Sequence, residues 1–240
     1  MGVKAMLAAR KAAMMYQKGQ KKEALELYEQ AEKEGLTDPK YIIGYSVALL
    51  RDGQYEKTRE LLVKHQNDPM TPEQKSQVRM NYSVAVWKLG DIDKALAVLE
   101  GQFKRLKTGL IYDTLGYLYI EAGLTDKALE INNEALEYDD EDSVIYDNLG
   151  QINYRLLNDK KKAKEYFEKA IALKDGQIDT LWFLSRYDIE SGDNAAAIKK
   201  LKKAAEGRFS PLNFATREMV DAELTRLGAG SSADDDDDDI

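Results

Sequence analysis

Apolar residues recur along most of this chain at intervals of three and four, the spacing of one face of an α-helix. Tyr112, Leu115 and Tyr119 share such a face, and Ala128 and Ala135 share another after an intervening glycine. The pattern therefore predicts pairs of amphipathic helices. The next stretch repeats it with Tyr146, Leu149, Gly150, Ala163, Phe167 and Ala170.

Glycines mark the reversals between paired helices and recur with a period near 34 residues, which is typical of arrays of helical hairpins. Asn158 stands where one glycine is missing, 35 residues after Gly123 and 34 before Gly192. Gly and Asn both suit the left-handed conformation that ends a helix. The full set is Gly19, Gly53, Gly90, Gly123 and Gly192, at intervals of 34, 37, 33 and 69.

The four prolines support the same helix boundaries, because all fall at predicted joints and none within a predicted helix, where one costs ~3 kcal/mol. They are Pro39, Pro69, Pro72 and Pro211. The segment 71–74 (Thr-Pro-Glu-Gln) predicts a helix start with an N-cap, a first-turn proline and a capping-box glutamine. The one extra residue in the interval that ends at Asn158 is assigned to the turn at 156–160.

The order Tyr112-x2-Leu115-Gly116-x2-Tyr119, followed by Ala128 and Ala135, resembles the tetratricopeptide repeat. The resemblance covers about residues 5–211 and implies an all-α fold, a right-handed α-solenoid of tandem helix-turn-helix hairpins. Gly116 and its counterpart Gly150 are expected to let two helices approach closely. Six repeats are predicted near 5–38, 39–75, 76–108, 109–142, 143–177 and 178–211.

A different pattern follows Pro211 and predicts a capping helix within 212–228. Its apolar stripe is expected to cover the last hairpin, and its charged residues to face away. Residues 1–228 are thus predicted to form a single domain, and 229–240 a disordered acidic tail. The stripe comprises Met219, Val220, Leu224 and Leu227, and the charged set Glu218, Asp221, Glu223 and Arg226.

Composition narrows the function classes. The 240 residues carry a net charge of −8, of which six charges come from Asp234–Asp239, so the remainder is about −2 and offers no basic field for nucleic acid. Absence of cysteine excludes disulfides and thiolate metal sites. The longest apolar run, Tyr41–Leu50, is half of the roughly 20 residues that cross a bilayer. We expect a cytoplasmic protein; attachment to a membrane through a removed N-terminal anchor stays open.

Nothing in the sequence predicts catalytic, cofactor-binding or metal-binding residues, and we expect no cofactor and no enzyme activity. His65 is the only histidine and is expected to be exposed at a helix end. The acidic segment 139–142 is interpreted as an inter-repeat turn that caps the next helix. The lysine runs 160–164 and 199–203 are interpreted as solvated helix faces, with binding of the Asp tail by one of them as the alternative.

The resemblance also implies a concave groove lined by the first helix of each hairpin, where a peptide or partner protein would dock. Leu181 fills the usual aromatic packing position, so Trp182 is predicted to offer its ring to a ligand; packing between repeats is the alternative. The candidate groove residues are Met80, Asn81, Val84, Trp87, Asp113, Tyr117, Asp147, Asn148, Gln151, Tyr154, Trp182 and Arg186.

The chain departs from the carboxylate-clamp subfamily, which binds acidic chaperone C-termini. Asn148 matches the middle of that clamp, but the flanking positions hold Asp113 and Tyr117 before it and Asp179 and Phe183 after it, so the basic residues of the clamp are absent. We therefore predict a non-catalytic interaction scaffold whose partner is neutral, basic or apolar rather than acidic. The alternatives are a self-assembling structural array and the cytoplasmic part of a membrane-tethered assembly factor.

Overall fold

The structure is a computed structural model that describes residues 2–230, and the part described is α-helical with no strand. It divides between Lys107 and Thr108 into two compact units, unit 1 before this boundary and unit 2 after it. The predicted fold class, an all-α array of tandem helix-turn-helix hairpins, is confirmed. The single domain over residues 1–228 stays a prediction.

Unit 1 contains three hairpins whose helices pack through small and aromatic side chains. Tyr28 and Tyr45 stack with ring centroids 5.1 Å apart, and Leu49 and Leu62 are fully buried beside them. The helices are α1 (Val3–Gln17), α2 (Lys21–Lys33), α3 (Pro39–Arg51), α4 (Tyr55–Lys64), α5 (Pro72–Lys88) and α6 (Ile92–Phe103).

Unit 2 contains three further hairpins and a terminal helix. A π-helical turn, Ile152–Leu156, continues the first helix of its second hairpin. Phe167 and Phe183 stack at its centre with their ring centroids 4.9 Å apart. The helices are α7 (Gly109–Glu121), α8 (Thr125–Tyr138), α9 (Ser143–Gln151), α10 (Lys160–Leu173), α11 (Ile178–Glu190), α12 (Asn194–Ala205) and α13 (Arg217–Arg226).

The reversals predicted from the glycine period are confirmed. All five glycines have positive φ, and Asn158 adopts the same left-handed conformation with φ of 54°. The close approaches at Gly116 and Gly150 are also confirmed. A Cβ on Gly150 would lie 2.4 Å from Cε1 of Phe167, and one on Gly116 would lie 2.7 Å from the amide of Asn132.

The predicted helix start at Thr71 is confirmed as a reciprocal capping box. Thr71 Oγ1 accepts from the Gln74 N–H at 3.2 Å, and Gln74 Oε1 accepts from the Thr71 N–H at 3.0 Å. Asp142 likewise caps α9 by accepting a hydrogen bond from the Val144 N–H at 2.8 Å, as predicted for the acidic segment 139–142. Helix α5 thus begins at Pro72, four residues before the predicted start of the third repeat.

The extra residue of the fifth repeat lies within a helix, so its assignment to the turn at 156–160 is wrong. The π-helical turn at 152–156 absorbs it, because each hydrogen-bonded ring there encloses one more residue than in an α-helix. The N–H of Leu157 donates to Ile152 O at 3.0 Å. The buried side chain of Asn153 supports the wider turn by donating to Leu149 O at 2.7 Å.

Helix α13 covers the end of unit 2 largely as predicted. Val220 and Leu224 are fully buried, and Met219 and Leu227 pack against the same cluster. The prediction that Glu223 faces away from the last hairpin is wrong. It lies three residues after Val220 on the flank of the buried face, and its side chain is only 13% exposed because it pairs with the guanidinium of Arg186.

Candidate protein-interaction site

The predicted groove residues of unit 1 lie mostly within its packed interior. Met80, Asn81 and Val84 are buried, and Trp87 is partly exposed. Asn81 donates to Ser46 Oγ at 2.8 Å and accepts from Gln77 at 3.0 Å, so its amide serves internal contacts. Lys88 Nζ lies 3.9 Å from the centre of the Trp87 ring.

In unit 2, a buried polar network occupies the face that the first helices α7, α9 and α11 share, which we call the first-helix face of unit 2. Asp147 accepts from Thr180 Oγ1 at 2.6 Å and from Gln151 Nε2 at 2.8 Å. Arg155 Nη1 then donates to Gln151 Oε1 at 2.9 Å and to Glu121 Oε1 at 2.7 Å. The network links all three helices, and it places Asp147 and Gln151 in structural roles.

Asn148, the residue that matches the clamp, is also engaged internally. Its Nδ2 donates to Asp113 O at 3.2 Å and to Asn132 Oδ1 at 3.1 Å. The side chain is buried between α7, α8 and α9, so it ties two successive hairpins together. Tyr117 is likewise buried, and burial, followed by the nearby charge of Glu121, raises the pKa of its hydroxyl.

The expectation that Trp182 offers its ring to a ligand is wrong, because the residue is only 8% exposed. The guanidinium carbon of Arg186 lies 4.1 Å from the centre of the ring, and Glu223 of α13 holds that guanidinium at 3.1 Å. Trp182 belongs to the apolar cluster that includes Val220 and Leu224. The C-terminal helix therefore closes over the side chain that the sequence singled out.

The linker between α12 and α13 covers a second part of the same face. The carboxylate of Asp179 accepts from the backbone N–H groups of Phe214 and Ala215, both at 3.0 Å, and from Asn213 at 3.4 Å. The Phe214 ring stacks on Phe183 with ring centroids 5.0 Å apart. Sequence reasoning did not assign this role to Asp179 or Phe214, since the contacts join residues about 35 apart through an irregular segment.

Arg155 is another residue that sequence reasoning missed. Besides its two hydrogen bonds, its guanidinium carbon lies 4.3 Å from the centre of the Phe214 ring. Its position follows from the π-helical turn, which no pattern in the sequence indicated. Tyr154, one residue earlier, is partly exposed, with ring centroids 5.0 Å from Phe183 and 5.9 Å from Tyr187.

Three carboxyl groups on this face have a raised pKa. Burial, followed by the charges of Asp142 and Asp139, raises the pKa of Asp113 to about 7. Burial also raises the pKa of Asp147, and burial with the charge of Asp147 raises that of Asp179. Asp113 differs from the other two because its buried Oδ1 has no hydrogen-bond partner among the described residues.

His65 is not exposed as expected, although it does follow the last residue of α4. Its ring is buried, with Nδ1 2.7 Å from Asp68 Oδ2, because the chain turns back at 65–68 and covers it. Several lysines of the two runs pair across helices, including Lys200 with Asp188 at 2.5 Å and Lys203 with Asp175 at 2.6 Å. The Asp tail proposed as their ligand lies outside the described residues.

Within residues 2–230, no group of three or more His, Asp or Glu side chains is arranged to hold a metal ion. The helices of this part are also too short or too polar for any of them to cross a bilayer.

Comparison with known proteins agrees with the geometry. The profile of the Tetratricopeptide repeat family matches residues 143–176. No curated protein matches the sequence significantly.

Among solved structures, "MamA RS-1 ArsTM double mutant" is 23% identical, with a TM-score of 0.54 over 73% of this chain and 97% of that one. The C-terminal part of a TPR repeat-containing protein from Cytophaga hutchinsonii is 19% identical, with a TM-score of 0.55 over 82% of this chain and 78% of that one. A further structure titled "Crystal structure of MamA protein" is 17% identical, with a TM-score of 0.54 over 73% and 94%.

The fold is thus that of the tandem helical-hairpin class, whose members display surfaces to other proteins. The chain carries a tetratricopeptide repeat at 143–176 and has the fold of tetratricopeptide repeat proteins, which confirms the resemblance seen in the sequence. Such repeats are protein-interaction modules and are generally non-catalytic.

Proposed function

We propose that the chain is a non-catalytic scaffold and that unit 2 binds a partner protein or peptide through a lysine or arginine side chain that reaches Asp113. The observation that carries the proposal is the Oδ1 atom of Asp113, which is buried and has no hydrogen-bond partner among the described residues. Buried polar atoms are nearly always paired, and an unpaired one costs about 1–3 kcal/mol.

The surroundings of Asp113 favour a cation over other partners. Asp142 and Asp139 lie close enough to raise its pKa, so a negative group brought to Asp113 would meet repulsion from these two carboxylates. An ammonium or guanidinium group would instead supply the missing donor and offset that repulsion. A basic partner is therefore preferred to an acidic one.

The other candidates divide into supporting and accessible residues. Asp147, Asn148 and Gln151 are occupied by hydrogen bonds inside unit 2 and support the face rather than contact a ligand. Tyr154 is partly exposed and offers an aromatic edge for a bound chain. The clamp position held by Phe183 is covered by Phe214, which supports exclusion of an acidic C-terminus.

The test is selection of binding peptides from a random displayed library, followed by measurement of Kd for the strongest binder by fluorescence anisotropy. We expect the enriched sequences to carry Lys or Arg. We also expect Asp113→Asn to weaken binding at least tenfold, because the variant keeps the shape of the side chain and loses its charge. Asp126→Asn on the exposed surface of α8 is the charge-matched control and should leave Kd unchanged.

Two results would contradict the proposal. One is enrichment of acidic peptides, and the other is equal binding by the wild type and the Asp113→Asn variant. Reaction of any kind catalysed by the purified chain would contradict the non-catalytic part.

A further inference from the structure

Helix α1 presents several large apolar side chains to solvent and buries only small ones completely, although Tyr16 packs against the core cluster of unit 1. Val3 is 71% exposed, Leu7 57% and Met14 51%. The residues that α1 buries completely are all alanines, Ala5, Ala9 and Ala12. A surface helix ordinarily turns its bulky apolar residues inward, and Val3, Leu7 and Met14 depart from that arrangement.

The exposed apolar residues lie in one stripe, flanked by cations. Val3, Leu7 and Met14 fall within one narrow sector of the helix, with Met6, 42% exposed, at its edge. Lys4 and Lys11, with Lys18 at the C-cap, are spaced by seven residues and form a row along one side of the stripe. Arg10 lies on the other side of Val3, Leu7 and Met14, between this sector and Met6. We call these eight residues the outer face of α1.

All formal charges on α1 are positive, since the helix contains no Asp or Glu. None of the four cations of the outer face forms an ion pair within the part of the chain that the structure describes. An apolar stripe edged by free cations is the pattern of helices that lie in a membrane interface, where lysine stems extend beside the apolar residues and their ammonium groups reach lipid phosphates.

We propose that the outer face of α1 docks on the surface of an anionic lipid bilayer, with the helix axis parallel to the membrane plane. The helix lies on the bilayer and does not cross it. Charge complementarity selects this occupant: anionic headgroups neutralise all four cations, whereas a second copy of α1 would bring like charges together.

The experiment is flotation of the chain with unilamellar vesicles. One vesicle preparation contains phosphatidylcholine and phosphatidylserine, and the other contains phosphatidylcholine alone. We expect binding to the first and at least tenfold weaker binding to the second, with the difference lost between about 0.05 M and 0.5 M salt because screening shortens the range of the attraction.

Two variants separate the apolar and the cationic contributions. Leu7→Ser/Met14→Ser and Lys4→Glu/Lys11→Glu should each reduce binding at least tenfold. Leu110→Ser/Leu173→Ser changes exposed leucines of unit 2, and Lys161→Glu/Lys199→Glu changes exposed lysines there; these matched controls should bind like the wild type. Circular dichroism of each variant verifies that the helices are retained.

Three outcomes would overturn the proposal. They are no flotation with either vesicle, equal flotation with both, and equal loss of binding in the matched controls. Absence of flotation together with a dimer whose affinity rises with salt, and which Leu7→Ser/Met14→Ser abolishes, would assign the face to a second copy of the chain. Because none of these variants touches Asp113, failure here leaves the peptide-binding proposal unaffected.

Discussion

Helices α1 and α13 are both edge helices of their units, yet they are built in opposite ways. Helix α13 buries Val220 and Leu224 and turns its polar residues outward, except Glu223, so it covers the apolar cluster of unit 2. Helix α1 contacts its neighbours mainly through alanines, with Tyr16 near its end, and leaves Val3 and Leu7 largely exposed. Helix α13 therefore completes the core of its unit, whereas α1 carries exposed apolar residues that do not contribute to the core of its unit.

The interiors of the two units differ as well. In unit 1, the buried contact between Asn81 and Ser46 joins neutral groups, and the buried ring of His65 pairs with Asp68. Unit 2 instead buries the carboxyl groups of Asp113, Asp147 and Asp179. Burying carboxyl groups lowers stability at neutral pH, so these three side chains impose a thermodynamic cost on unit 2.

The largest expected effect contrasts the two edge helices directly. Leu224→Ala should lower the free energy of unfolding by about 2–5 kcal/mol, because it leaves a cavity in the core of unit 2. Leu7→Ala should change it by less than about 0.5 kcal/mol, because that side chain is already in water. Urea denaturation followed by circular dichroism measures both, and equal losses would remove the distinction.

A second prediction concerns pH. The pKa of Asp113 is raised from 3.8 to about 7 in the folded chain, so folding favours its protonated form. The contribution of protonated Asp113 to the free energy of unfolding is therefore complete below pH ~4, and it is lost as the pH rises through about 7. Relative to Asp113→Asn, the wild type should lose on the order of 1–3 kcal/mol across this window. Urea denaturation at several pH values tests this, with Asp126→Asn as a control that should keep the wild-type slope.

The ion pair that joins α13 to α11 should have a smaller effect. Glu223→Gln removes the charge that holds Arg186 over Trp182, and both side chains are mostly buried. We expect a loss of about 1–2 kcal/mol in the free energy of unfolding. Glu206→Gln, at the exposed C-cap of α12, should stay within about 0.5 kcal/mol of the wild type. A comparable loss at both positions would show that net charge, rather than this contact, is responsible.

The smallest effects concern the helix caps. Thr216 Oγ1 accepts from the Met219 N–H at 3.2 Å, whereas Gly2 caps α1 without any side-chain bond. Thr216→Ala should cost about 1 kcal/mol, and Gly2→Ser should stabilise α1 by only a few tenths of a kcal/mol. Amide hydrogen exchange, read separately for α1 and α13, provides the measurement. Faster exchange in α1 of Gly2→Ser would contradict the second expectation.

Features that depend on local sequence were predictable. The left-handed glycines and the capping box at Thr71 follow from the conformational limits of a few neighbouring residues, and the close approach at Gly150 follows from its place in the repeat. The repeat period then identified the hairpins, because stacked units must recur at a constant length.

The candidate site was less predictable because its contacts join distant parts of the chain. Trp182 is covered by Arg186 and Glu223, and the latter belongs to a helix outside the repeat pattern. Phe214 reaches Phe183 through an irregular linker that has no periodicity to read. The π-helical turn that positions Arg155 likewise arises from packing, since one extra residue fits equally well in a loop or in a helix.

The two tryptophans fall one in each unit, and each has a cation over its ring, Lys88 over Trp87 at 3.9 Å and Arg186 over Trp182 at 4.1 Å. Indole fluorescence changes when such a contact is broken and the ring enters water. In a Trp182→Phe variant the tryptophan fluorescence would therefore come from unit 1 alone. In a Trp87→Phe variant it would come from unit 2 alone. The chain thus carries its own pair of spectroscopic probes, with which melting of the two halves can be followed separately.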